Sequence, residues 1–305
     1  MTANHRITIG GESLFDQLPL HRGPPLSDKP ANITALAQLL RDNQPVLALT
    51  GAGISTRSGI PAYRDTDGKW MQSKPVNAAD FKNHEHVRKR YWRRSMSGWP
   101  VFQAARANEA HIALAGLQQA LVVSGIITQN VDGLHQSAGS RNVIDLHGSL
   151  ATVVCLQCGE LMQRSDLQQQ LESANPEFAG EPVQTGPDGD ATPTVNTDAY
   201  DRFQLVDCPA CAGTLKPDVV FFGENVPAGR VDACMKALQQ SQSLLCIGSS
   251  LSVLSGFRFC REAAQQDKPV CLINQGKTRA DDIATIKVDA DCGQTLRTLL
   301  ELINE

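Results

Sequence analysis

Short apolar runs, each cut off by a glycine or a polar residue, set the rhythm of this chain. Val46–Thr50 ends at Gly51, Leu244–Ile247 at Gly248 and Val270–Ile273 at Asn274. Uninterrupted runs of this length between turn residues predict strands buried on both faces. Shorter runs at Ile126–Thr128, Val143-Ile144 and Val219–Phe222 predict further strands. Between them, helices are expected over Leu36–Leu40, with Asn32 as cap, and over Asn108–Leu121, Val231–Gln240 and Arg258–Gln266. Strands alternating with helices predict an α/β fold around a mostly parallel sheet.

Two segments break the rhythm. Residues 64–107 are charged and carry all three tryptophans, Trp70, Trp92 and Trp99. Residues 151–214 hold four of the nine cysteines and a polar stretch over 175–201. Both read as insertions that form a second, smaller lobe. Residues 1–30 read as a polar, proline- and glycine-containing leader. A formal net charge of −4 gives no basic footprint for nucleic acid. The odd cysteine count argues for a reducing compartment. No apolar run reaches the length of a membrane span or a signal core, and Glu12 and Asp16 count against a mitochondrial presequence. A cytoplasmic setting is expected.

The cysteines are arranged as Cys155-x-x-Cys158, 49 intervening residues, then Cys208-x-x-Cys211. Two such pairs can each form a knuckle and together supply four thiolates to one tetrahedral zinc ion. Gly159 and Gly213 suit the turns this needs. Four sulfur ligands leave no open position, so the zinc would be structural. The competing reading is four unconnected cysteines or a redox pair.

The first apolar run leads into GAGISTRSGIP at residues 51–61. Glycines there let a backbone approach a phosphate, with N–H groups at a helix start facing it. The fingerprint is imperfect, because Thr56 stands at the third glycine position, and a ligandless turn stays open. Gly248-Ser249-Ser250 and Asn274-Gln275-Gly276 follow the other runs, at the sheet edge where ligands bind. Gln129, Asn130 and Asp132 crowd polar groups after another run and fit either a capped turn or a binding loop. His147 is also expected at a strand end, structural or catalytic.

Together these residues resemble the sirtuin family. The resemblance rests on Gly51–Arg64 (GAGISTRSGIPAYR), Thr128–His135 (TQNVDGLH), His147-Gly148, the cysteine pairs, Lys216–Glu224 (KPDVVFFGE) and Gly248–Val253 (GSSLSV). These motifs span roughly residues 31–300, in the family's order. RYWRRSMSGWPVF at 90–102 and TRADD at 278–282 are similar to the class II branch and point to a bacterial setting.

The resemblance implies a Rossmann-like NAD-binding domain made of 31–63, 108–150 and 215–305. The helical module 64–107 and the zinc module 151–214 would form the small lobe. It implies NAD-dependent removal of acyl groups from protein lysine, with nicotinamide and O-acyl-ADP-ribose released. Gly51, Ala52, Gly53, Ser55, Ile60, Pro61, Tyr63 and Arg64 would hold NAD. Gln129, Asn130 and Asp132 would line its nicotinamide and ribose end. Gly248, Ser249, Ser250, Asn274, Gln275, Gly276 and Cys292 would line its adenosine end. Val219, Val220, Phe221, Gly223 and Glu224 would pair with the substrate peptide by strand addition. Asn130 and His147 would be catalytic, with His147 the general base toward a ribose hydroxyl.

Tyr63 departs from the phenylalanine of many members, but its ring can still shield the sugar. Tyr91 and Arg94 have a spacing that in another branch recognises acidic acyl groups. A helix with a buried ring and a solvated arginine explains the pair equally well. The alternative activity is protein mono-ADP-ribosyl transfer from the same cofactor residues. A non-catalytic nucleotide-binding module and a hydride-transferring dehydrogenase fit less well.

Overall fold

The computed structural model describes residues 33–65, 69, 71, 75–180, 183–186, 191–193 and 200–305. The expected leader, the Asn32 cap and Trp70 lie outside the described residues. Helix α1 (Ile33–Asp42) leads into strand β1 (Val46–Thr50), and α2 (Ala78–Asn83) and α3 (Glu85–Ala104) follow. Then come α4 (Glu109–Gln119), β2 (Val123–Thr128), α5 (Leu134–Ser137) and β3 (Val143–Asp145). The next stretch holds β4 (Gly148–Cys155), β5 (Leu161–Gln163), α6 (Arg164–Ala174), β6 (Val183–Thr185), β7 (Ala191–Pro193) and β8 (Leu215–Val219). The chain closes with α7 (Ala228–Gln239), β9 (Ser243–Ile247), α8 (Leu254–Gln265), β10 (Val270–Ile273), β11 (Ile286–Val288) and α9 (Cys292–Asn304).

Six strands form one parallel sheet in the order β11-β10-β9-β1-β2-β3. Its inner strands are mostly apolar because both faces are covered, with polar residues at their ends such as Thr50, Thr128 and Ser243. Leu47 and Leu49 of β1 join a core with Cys234 and Leu238 of α7 and Phe259 and Ala263 of α8. The alternate residues Val46 and Ala48 point the other way, into a core with Leu36 of α1, Leu114 of α4 and Leu296 of α9. The strand order reverses between β1 and β9. That switch point opens a crevice beyond the carboxyl ends of the two strands, where open α/β sheets place ligands.

The second lobe is built differently. Strand β4 lies between β5 and β8, antiparallel to both. The stretch Val219–Phe222 is therefore only partly a strand: β8 ends at Val219. Val220 continues by donating its N–H to the His147 carbonyl at 2.8 Å, and Phe222 forms a lone bridge to Asn77. The 215–219 strand also sits in the small-lobe sheet rather than the parallel one, although it was expected with the large domain. Phe81, Tyr91, Trp92, Met96, Leu167, Phe203 and Phe221 make the lobe's core. Arg164 is buried between Trp92 and Trp99, its guanidinium carbon 5.6 and 4.9 Å from the ring centres. It donates to Ser95 O and Oγ. Among the described residues no helix is long and apolar enough to cross a membrane.

Candidate active site and metal centre

The two cysteine knuckles meet. Cys155 and Cys211 sulfurs are 3.5 Å apart, Cys158 and Cys208 sulfurs 3.7 Å, and all four lie within 4.8 Å of one another. A tetrahedral zinc with bonds of about 2.3 Å separates its sulfurs by about 3.8 Å. The cluster therefore fits one ion, and an all-sulfur tetrahedral set suits zinc. Gly159 takes a φ of 75° in the first turn, as its position there requires. At Gly213 the constraint is space, since a Cβ would stand 2.8 Å from Cys155 Sγ. The backbone N–H of Cys158, followed by that of Gln157, helps hold the Cys155 thiol down to about 6. The Cys158 and Cys155 thiols push Cys211 up to about 12.

At the switch point, the loops after β1 and β9 are bound to each other. Gly51 N–H donates to Ile247 O at 3.1 Å and Gly53 N–H to Gly248 O at 2.8 Å. A Cβ on Gly53 would stand 2.8 Å from that same oxygen, so glycine is required for this contact. These two N–H groups are thus committed to the protein and are not open to a phosphate. The helix that follows, Ala52–Ser58, is a 3-10 helix.

A cavity of 520 Å³ opens between the lobes. Its wall includes Gly51, Ala52, Gly53, Tyr63, Arg64, Gln129, Asn130, His147, Val219, Val220, Phe221, Gly248, Ser249, Ser250, Asn274, Gln275 and Cys292. Ser55, Ile60, Pro61, Asp132, Gly223, Glu224 and Gly276 stand outside this wall. Several of them support it. Asn130 Nδ2 donates to Gly51 O at 3.2 Å and to Ser55 Oγ at 3.0 Å, and Ser55 Oγ donates to Asp132 Oδ2 at 2.7 Å. Glu224 accepts from Phe221 N at 2.9 Å and pairs with Lys216 and Lys82 at 3.0 and 2.9 Å. This clamps the expected peptide strand from behind. Ile60 packs with Trp99, Leu134 and Leu150.

His147 Nδ1 lies 2.9 Å from Gln129 O and Nε2 lies 2.8 Å from Ser255 Oγ. Burial pushes its pKa down to about 4, against the raising effect of the Gln129 hydrogen bond. The ring is neutral at physiological pH and can take a proton at Nε2. Two fully buried histidines lie behind the glycine loop. His135 Nε2 meets Thr50 Oγ1 at 2.8 Å, and burial lowers its pKa to about 3. His111 stacks edge-on to it at 4.9 Å, and burial lowers its pKa to about 4 while Asp132 opposes the shift.

Sequence reasoning did not single out Ser255, His111 or these packing roles. It also passed over Met71, Val76, Val131, Leu150, Lys277 and Asp291 on the cavity wall. Tyr91 lines the cavity and Arg94 does not.

The Bradyrhizobium diazoefficiens NAD-dependent protein deacetylase 2 is 47% identical over 275 residues, covering 90% of this chain and 100% of the relative. NAD-dependent protein deacetylase 1 of Streptomyces coelicolor is 46% identical over 280 residues, covering 91% and 93%. A solved complex described as Sir2-p53 peptide-NAD+ superposes with a TM-score of 0.72 at 29% identity, covering 88% of this chain and 98% of the other. The Sir2 family model matches residues 51–255. That match spans well over half of the sequence and takes in both walls of the cavity, so the chain belongs to the Sir2 family.

Proposed function

We propose that this protein removes acyl groups from protein lysine with NAD as co-substrate, releasing nicotinamide and O-acyl-ADP-ribose. One convergence carries the reading: His147, the glycine loop, the Gln129-Asn130 turn and the Val219–Phe221 strand all border one cavity. The relatives' names favour deacylation over ADP-ribosyl transfer to protein. The cavity lies between the NAD-binding domain and the small lobe, and the reaction belongs in a bacterial cytoplasm.

Bound NAD supplies a cleavable nicotinamide–ribose bond and the sugar that receives the acyl group. The chain does the rest. Loops after β1, β9 and β10 hold the dinucleotide along the sheet edge. Asn130 fixes the glycine loop through Gly51 and Ser55. The clamped strand presents backbone to the peptide. Tyr63, Val131, Leu150 and Phe221 shield the reacting centre, which excludes water and strengthens the fixed dipoles around it. His147 Nε2 takes a proton from a sugar hydroxyl.

Nicotinamide release across peptides bearing acetyl, succinyl, glutaryl and longer acyl groups tests the reading. His147→Ala should lower deacylation by about 10²–10⁴-fold with zinc content unchanged, and full turnover by that variant removes the assignment. With labelled NAD, acyl-ADP-ribose is the expected product, and label retained on protein would favour the transferase.

A further inference from the structure

Both nitrogens of the His147 ring are engaged, in opposite senses. Nδ1 faces the Gln129 carbonyl oxygen, which only accepts, so the ring proton sits on Nδ1 and the lone pair on Nε2. That lone pair meets Ser255 Oγ at 2.8 Å, so the hydroxyl donates to it. Ser255 is 1% exposed and is the second residue of α8, directly behind the Gly248–Val253 loop on the cavity wall. Its neighbour Gly256 leaves room for the Gln129 side chain: a Cβ there would stand 2.7 Å from Gln129 Cδ. Gln129 in turn donates to Ser249 Oγ at 2.9 Å. The first turn of α8 thus touches the imidazole through one residue and the residue that orients the imidazole through the next.

We propose that Ser255 is a positioning residue for acyl transfer: its hydroxyl holds His147 Nε2 aimed and unprotonated until a sugar hydroxyl replaces it. This rests on the deacylase reading. Protons balance in the exchange. Ser255 keeps its own proton as it leaves Nε2, and the sugar hydroxyl gives up its proton to Nε2, leaving an alkoxide beside an imidazolium. The charged groups around the ring are Arg230 of α7, its ion-pair partner Asp218 of β8 at 3.3 Å, and Asp145 of β3, which faces Arg230. Ser255 adds no charge, so replacing it leaves this field in place.

The test uses the full chain with Ser255→Ala and Ser255→Thr, folding being checked by zinc content and thermal midpoint. Nicotinamide exchange reports the step before the base acts, and deacylation reports the whole sequence. The alanine variant should keep exchange and peptide KM within about twofold and lose roughly tenfold in deacylation kcat. The acid limb of its kcat/KM profile should move up by about half to one pH unit, because the neutral imidazole has lost a donor. Threonine, which keeps the hydroxyl, should restore the exchange-to-deacylation ratio. A wild-type ratio with an unmoved acid limb in the alanine variant overturns the proposal. Equal loss of exchange and deacylation in both variants also overturns it, because Ser255 would then only fill space. If the wild-type chain shows no acyl-peptide-dependent nicotinamide release, the functional reading itself falls, and that is seen before either variant is made.

Discussion

The two lobes hold themselves together by different means. The large domain relies on burial: six parallel strands carry apolar residues to two faces, and helices cover both. Among the described residues, the small lobe combines α2, α3 and α6 with a three-stranded sheet, a two-stranded ribbon and a ring-rich core, with Arg164 sunk between two tryptophans. So small a core gains much from a cross-link, and the four sulfurs supply one. The lesson is that the cavity has one wall that stands by packing alone and one whose smaller core a bound ion would brace.

Removing the ion should break this contrast most sharply. Chelation, or Cys155→Ala, should abolish amide-exchange protection in β4, β5 and β8 while β1, β9 and β10 keep theirs. Deacylation should fall by at least about tenfold, since the binding free energy of a structural zinc is folding free energy. A chelated enzyme that stays folded and fully active would show that side-chain packing alone supports the lobe.

Acid should act on the other wall. His111, His135 and His147 all belong to the large-domain side, and burial lowers their pKa values to about 4, 3 and 4. Between those values and the ordinary value of 6.5, the unfolded chain binds more protons than the folded one. Stability is therefore fully present above pH 6.5 and is lost as pH falls toward 4. The loss should be about 1.4 kcal/mol per pH unit for each histidine in that window. Urea midpoints at pH 7, 6 and 5 measure this, and a constant midpoint would mean that water reaches all three rings.

The smallest effect is expected at the lobe junction. Arg94 stands off the cavity wall that Tyr91 lines. Arg94→Met should leave relative rates on acetyl, succinyl and glutaryl peptides within about twofold, the range of an ordinary surface change. Selective loss of the acidic substrates would put Arg94 in the acyl pocket after all.

The sequence made the large domain legible because a strand covered on both faces is apolar at nearly every position. Val46–Thr50 and Val270–Ile273 needed no partner to be recognised. The cysteine spacing was equally direct, since two close pairs say where two knuckles form. Pairing was harder. Lys216 and Pro217 look unlike strand residues, and nothing local says that Leu215–Val219 lies antiparallel to β4. Lys216 is accommodated there by Glu224, eight residues on. Ser255 and His111 went unnoticed, and His135 stood only as the last residue of TQNVDGLH, for a related reason. Each is an ordinary polar residue with a partner in a distant segment, 56–108 residues away, although His111 also accepts from Asn108 N at 3.3 Å in its own helix cap.

Strand β4 follows His147 at one end and supplies Cys155 at the other. At about 3.3 Å per residue, it works as a ruler between imidazole and thiolate. One residue inserted or deleted within 152–155, where β4 pairs in regular register, would turn Cys155 to the opposite face, whereas the register with β8 already shifts between Gly148 and Val153. The 49-residue connection between Cys158 and Cys208 carries no such constraint across its whole length. Among relatives, length variation should therefore collect in that connection, while the regularly paired stretch 152–155 keeps its residue count.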